Sequence, residues 1–241
     1  VAGHSKWKNI QHRKGAQDAK RGKVFTKIAI EITVATRASG GDPADNPRLR
    51  AALAKAKAAN MPKDNCSRAI KKGLGDMDGE NYQEKTYEGY GPGGVAVFVE
   101  CLTDNVNRAV AEVRHAFTRS GGNLGTDGSV AWMFSRKGIL IYDKDQIPDF
   151  DTLFQLALEN GAEDVQEEED QIEILCAPED LMALKTALDQ ISSEPSVCEI
   201  TRIPENKAPL DGSKAEALEK LIANLEDQDD VQNVYHNGDD L

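Results

Sequence analysis

Along residues 24–70 the apolar positions recur at spacings of three and four, the period of helices with one buried face. Val24, Phe25, Ile28, Ile32 and Ala35 predict a first helix, ended by Gly40-Gly41. Asn46-Pro47 opens a second. The Asn side chain caps free amides, Pro takes the first helical position, where its missing N–H costs nothing, and Leu49, Leu53 and Ala56 face inward. Pro62 repeats the start signal for a third helix, which is expected to stop at Gly73, with residues 73–79 as a flexible linker.

From Tyr82 the texture becomes that of strands. Residues 95–102 are a short apolar run rich in β-branched side chains, and Asp104 or Asn105 caps a predicted helix over 106–120. A Gly-rich loop, 121–125, leads into a predicted strand over 129–134. After Gly138 the order is strand (139–142), helix (150–160), strand (near Val165), strand (171–176), helix (179–191) and strand (197–203), the βαββαβ order of a ferredoxin-like unit. Ser213-Lys214-Ala215-Glu216 is a candidate capping box for a helix to about Leu225, and 231–235 is a last strand. A lone helix and strand cannot bury a core, so they are expected to return to the second domain. The fold class expected is therefore α+β with three domains: a helical, basic 1–75, a discontinuous α+β domain from 80–136 plus 205–241, and a ferredoxin-like 137–204 inserted into it.

Composition adds a compartment and charge adds a partner. The chain is 39% apolar and 29% charged, that of a globular protein, with no apolar run near the ~20 residues of a membrane helix. Residues 4–23 are polar, unlike a signal peptide, so a cytoplasmic protein is expected. The four cysteines, Cys66, Cys101, Cys176 and Cys198, form no C-x-x-C pair and read as reduced and mostly buried. Residues 1–72 hold 17 Lys/Arg against 5 Asp/Glu, a net of +12, while the whole chain is −12; residues 73–241 carry −24. A basic head on an acidic body points to a polyanion held at one end.

Lys6, Arg13, Lys20 and Lys27 sit seven residues apart, which on one helix drifts only ~20° per step and makes one cationic stripe, either a solvated face or, as favoured here, one that tracks a phosphate backbone. Lys14 and Arg21 flank it, Lys8 and Lys23 complete the cationic set, and Asp18 is the only acid in the first 30 residues. Gly15 and Gly22 each cost ~1 kcal/mol in a helix interior, which favours a segment that orders on binding. Trp7, between Lys6 and Lys8, is placed either to stack on a base or to anchor the arm to the head's core. His4 and His12 lie among cations that would repel a metal, so His12 is read as a phosphate hydrogen-bonding group or a surface residue.

Other motifs resolve into structure. Gly89-Tyr90-Gly91-Pro92-Gly93-Gly94 matches G-x-G-x-x-G but precedes a strand instead of opening a helix, so it reads as a turn. Residues 121–125 lack a P-loop ending, although their bare backbone allows close approach to another chain. Glu167-Glu168-Glu169-Asp170 reads as a solvated turn, and no nucleophile carries a catalytic signature. No enzyme activity, cofactor or small-molecule substrate is expected.

Several strings closely resemble the YebC family, over nearly the whole chain. They are Ala2-Gly3-His4-Ser5-Lys6-Trp7, His12-Arg13-Lys14, Asp18-Ala19-Lys20-Arg21-Gly22-Lys23 and Asn60-Met61-Pro62-Lys63-Asp64-Asn65. Further matches are Arg68-Ala69-Ile70-Lys71-Lys72-Gly73, Tyr87-Glu88-Gly89-Tyr90-Gly91-Pro92-Gly93-Gly94, Asn123-Leu124-Gly125 and Asp229-Asp230-Val231-Gln232-Asn233-Val234-Tyr235. Val1 stands where the family has its initiator Met, and Cys66 where Ile is expected. Because the motif begins at residue 2, the bacterial branch fits better than the organellar one. The resemblance implies the three-domain plan and a non-enzymatic role in gene expression. The target expected first is DNA, as for a transcriptional regulator, and the alternative is rRNA or the ribosome, as for a factor that helps translation of proline runs.

Overall fold

In a computed structural model, residues 21–75, 82–192 and 194–239 are described. They form α1 (Arg21–Ser39), α2 (Pro47–Ala58), α3 (Lys63–Leu74), β1 (Gln83–Tyr90), β2 (Ala96–Thr103), α4 (Val106–Arg119), β3 (Asn123–Leu124) and β4 (Phe134–Asp143). Then follow α5 (Phe150–Glu159), β5 (Ala162–Glu167), β6 (Gln171–Cys176), α6 (Leu181–Leu188), β7 (Val197–Pro204), α7 (Gly212–Glu226) and β8 (Val231–His236). Contacts divide the chain into two compact units, residues 134–204 forming one and the described residues on either side of them the other.

In the head, Ile28, Ile32 and Ala35 of α1 are buried against Leu49, Ala52 and Ala56 of α2 and Ala69 of α3. Asn46 fixes the corner between α1 and α2 with all its polar atoms. Its Oδ1 accepts the Leu49 amide at 3.0 Å, while its Nδ2 donates to the carbonyls of Ala35 and Gly40, both at 2.8 Å. Pro47 is the first helical residue, as its fixed φ favours. The expected stop at Gly73 is corrected: α3 continues to Leu74, and Gly73 is buried inside it. A Cβ there would lie 2.6 Å from the Thr33 carbonyl oxygen and 2.6 Å from Thr36 Cβ. Gly73 is thus where α1 and α3 touch backbone to backbone, reinforced by the Thr33 hydroxyl donating to the Ala69 carbonyl at 3.2 Å.

The same unit holds an antiparallel sheet of order β3-β1-β2-β8. Val95, Val97, Val99 and Cys101 pack with Val113 and Phe117 of α4 and with Leu218, Leu221, Ile222 and Leu225 of α7. Asn105 caps α4, its side chain accepting the Arg108 amide at 3.0 Å. Asp211, not Ser213, caps α7, accepting the Lys214 amide at 3.1 Å, which starts the helix earlier than the capping-box reading placed it. The Gly-rich motif after β1 is a turn, with the Gly91 amide bonded to the Val95 carbonyl at 2.8 Å. Gly122 comes against the chain's own backbone: a Cβ there would sit 2.4 Å from the Tyr90 carbonyl oxygen.

The strand expected over 129–134 is also corrected. Ladder pairing begins only at Phe134, and residues 131–133 form a single 3₁₀ turn. The buried Glu88 carboxylate captures the amides of Gly128, Val130 and Ala131, each at 2.7 Å, so those donors point at a side chain rather than at a neighbouring strand.

Residues 134–204 form the second unit, a β5-β6-β4-β7 sheet in which every pair is antiparallel. With two helices this is the βαββαβ fold expected. Leu140, Tyr142, Ile172, Ile174 and Cys176 pack against Leu153 and Ala157 of α5 and Leu181, Leu184 and Leu188 of α6. Asp149 caps α5 through the amides of Asp151 and Thr152. The chain leaves this sheet at Pro204 and returns to the first unit, where β8 pairs with β2.

Gly73→Ala should lower the stability of the unit holding the head by about 1–3 kcal/mol, because its methyl group must displace backbone. Gly75→Ala, whose nearest neighbour would be 3.5 Å away, should stay within about 0.5 kcal/mol in the same urea denaturation series.

Candidate nucleic-acid interface

The site expected from charge begins on α1. Lys6, Trp7, Lys8, His12, Arg13, Lys14 and Lys20 lie outside the described residues, and of Arg21 only the backbone is described. Lys23 and Lys27 are described, four residues apart and thus on one face of α1. That face meets the C-terminus of α7. Lys27 Nζ donates to the Glu226 carbonyl at 2.6 Å, and Lys23 Nζ donates to the Asp227 carbonyl at 2.7 Å and pairs with its carboxylate at 2.9 Å. The last carbonyls of a helix lack intrahelical donors and carry the negative end of its dipole, so two ammonium groups satisfy both needs.

The two lysines are not equivalent. Lys27 is half-buried, and loss of water pushes its pKa below the usual lysine value despite attraction from Glu226, Asp229 and Asp227. Lys23 is more exposed, and its ion pair is a surface one. The residues 226–230 that receive them, Glu-Asp-Gln-Asp-Asp, also receive Arg108: its guanidinium forks onto the buried Asp230 carboxylate at 2.7 and 2.9 Å and reaches Asp104 at 2.7 Å. These hydrogen bonds hold the Arg108 pKa above its ordinary value.

The sequence reading missed this acidic turn as the seat of Lys23 and Lys27. No local signal could have found it, because Lys23 and Asp227 are 204 residues apart. A second link from head to sheet, the pair Arg48–Glu84 at 2.5 Å, was equally invisible.

Other chemistry is sparse. Burial pushes the Cys101 thiol up to about 12 and those of Cys176 and Cys198 up to about 11, which keeps all three protonated at neutral pH. Cys101 and Cys176 are buried, Cys66 and Cys198 half-buried, and all four are free thiols. Among the described residues no three His, Cys, Asp or Glu side chains are grouped to hold a metal ion, and no helix is long and apolar enough to cross a membrane.

Comparison with known proteins places this geometry in a family. Residues 5–76 match a model described as the TACO1/YebC protein N-terminal domain, and residues 82–238 one described as the TACO1/YebC second and third domain. A relative from Geobacter sulfurreducens, named a probable transcriptional regulatory protein, is 56% identical over 99% of this chain and 96% of its own. One of the same name from Syntrophotalea carbinolica is also 56% identical with the same coverage. A crystal structure of a conserved hypothetical protein from Aquifex aeolicus superposes with a TM-score of 0.82 at 46% identity, covering 92% of this chain and 91% of that one.

Lys27→Met should cost about 1–3 kcal/mol of stability, since it leaves the Glu226 carbonyl without its donor. Lys23→Ala should cost less than about 1 kcal/mol, as an exposed pair does. Urea denaturation of the two variants beside wild type measures both.

Proposed function

The chain belongs to the TACO1/YebC family, and on that premise we propose that it is a non-enzymatic transcriptional regulator of the cytoplasm that binds DNA through its basic head. The observation that carries the reading is the charge split, +12 in residues 1–72 against −24 in the rest. An acidic body is repelled by the same phosphates that attract the head, so DNA is approached from one end. In this proposal the division into 1–75, 80–136 with 205–241, and 137–204 assigns binding to the first domain. Lys6, Lys8, Arg13, Lys14, Lys20 and Arg21 contact phosphates, His12 hydrogen-bonds to them, and Trp7 stacks on a base or ribose or anchors the arm. Lys23 and Lys27, expected with the others on phosphates, bond to the C-terminal end of α7 and are left out of this set.

A second reading, a ribosome-associated translation factor, draws on the spread of cations over three short helices, which suits phosphate tracking more than base readout. Ribosome profiling paired with RNA sequencing of a deletion strain separates the two. Transcript changes at occupied promoters without codon-specific pauses support the DNA reading, whereas pauses at particular codon runs with unchanged transcripts overturn it.

Replacing Lys6, Arg13 and Lys20 by Ala should weaken duplex binding by similar factors on unrelated sequences and reduce the slope of log K against log salt by roughly 0.9 for each cation. Fluorescence anisotropy across a salt series checks this. A loss confined to one sequence would instead indicate base readout.

A further inference from the structure

The head carries more cations than the arm and α1 alone, and their partners sort them. Lys23 and Lys27 are taken by α7, Arg48 by Glu84, Lys55 by Glu31, and Arg50 by the carbonyls of Pro43 and Ala44. Lys63 and Lys71 of α3 are exposed and pair with no other described residue. Arg68 is exposed too, and its guanidinium is held on its own helix by the Asn65 side chain and the Asp64 carbonyl, which fixes its direction without neutralising it.

These three share one side of α3. At 3.6 residues per turn they fall within an arc of about 140°, opposite the side on which Ala69 and Gly73 are buried. The single carboxylate in that arc is Asp64, in the first turn, where it complements the helix N-terminus. From Lys63 to Lys71 the rise is about 12 Å. A DNA duplex presents one phosphate per roughly 1.7 Å of axis, so about seven lie within that length.

We infer that the outward face of α3, through Lys63, Arg68 and Lys71, is a second contact with the phosphate backbone of duplex DNA, separate from the arm of residues 1–20. This rests on the DNA-binding reading above and adds a surface to it. A duplex fits better than a single strand because single-strand sites add aromatic platforms for bases, and Phe25, the one aromatic residue between 21 and 75, is packed in the head's core. Lysine and arginine, on a face whose other residues are Asp64, Ser67 and the exposed Leu74, contact phosphates without reading bases, so the contact is independent of sequence.

The test uses the full chain and a labelled 20-base-pair DNA duplex in two unrelated sequences, titrated over salt. Lys63→Ala/Arg68→Ala/Lys71→Ala should bind both sequences roughly tenfold or more weakly at 0.15 M salt, with the salt slope reduced by up to about 2.7. Lys63→Arg/Lys71→Arg should keep the wild-type slope, and thermal melts of both should match wild type because the side chains are exposed. If the triple variant keeps the wild-type slope while Lys6→Ala/Arg13→Ala/Lys20→Ala loses binding, this inference falls and the DNA-binding reading stands. If wild type binds neither duplex, both fall. A loss seen with duplex RNA of the same sequence but not with DNA also overturns the inference.

Discussion

The antiparallel pairing of β8 with β2 is the contact on which the larger unit depends, because it joins residues 231–236 to residues 97–101 across everything between them. Without it β2 would be an edge, and its Val97, Val99 and Cys101 would lose α7, which arrives in the same segment as β8. Two side chains and one backbone bond secure the register. Asn237 Oδ1 accepts the Ala96 amide at 2.8 Å, Asn233 donates to Glu100 at 3.1 Å, and the Leu102 amide reaches the Asp230 carbonyl at 2.8 Å. The entropy of closing a long loop grows only slowly with its length, so a folded βαββαβ unit can occupy the interval between the two halves.

That closure also sets the electrostatics of the head. The turn between α7 and β8 brings Glu226, Asp227, Asp229 and Asp230 to the end of a helix whose last carbonyls need donors. Arg108 neutralises part of this from α4, and Lys23 and Lys27 supply the rest from α1. Part of the attraction between basic head and acidic body thereby acts at this turn, where it fixes the start of α1, and part acts at the Arg48–Glu84 pair. Lys63 and Lys71, exposed on α3 outside these contacts, keep their charge for solvent or for a polyanion.

Amino-acid order by itself determined the local architecture. Asn46-Pro47 starts α2, Asn105 caps α4, the apolar run beginning at Val95 is β2, and the βαββαβ order needs only the alternation of periods. These were legible because caps and periodicity act over a few residues. The head's charge was legible for the same reason, since it is a sum over neighbours in sequence.

Tertiary structure decided what each ambiguous residue is for. Gly73 looks like a helix stop, yet it is a close approach, because only the position of Thr33 and Thr36 shows that no Cβ fits. Residues 129–134 look like a strand, but Glu88, some forty residues away, takes the amides of Val130 and Ala131, and those of Ser129 and Met133 bond to carbonyls three residues back. Lys27 belongs to a seven-residue series that resembles a phosphate stripe, and its ammonium bonds to a carbonyl 199 residues distant. In each case the deciding partner is remote along the chain, and side chains with one local appearance acquire different roles according to which donor, acceptor or backbone the fold carries to within 3 Å of them.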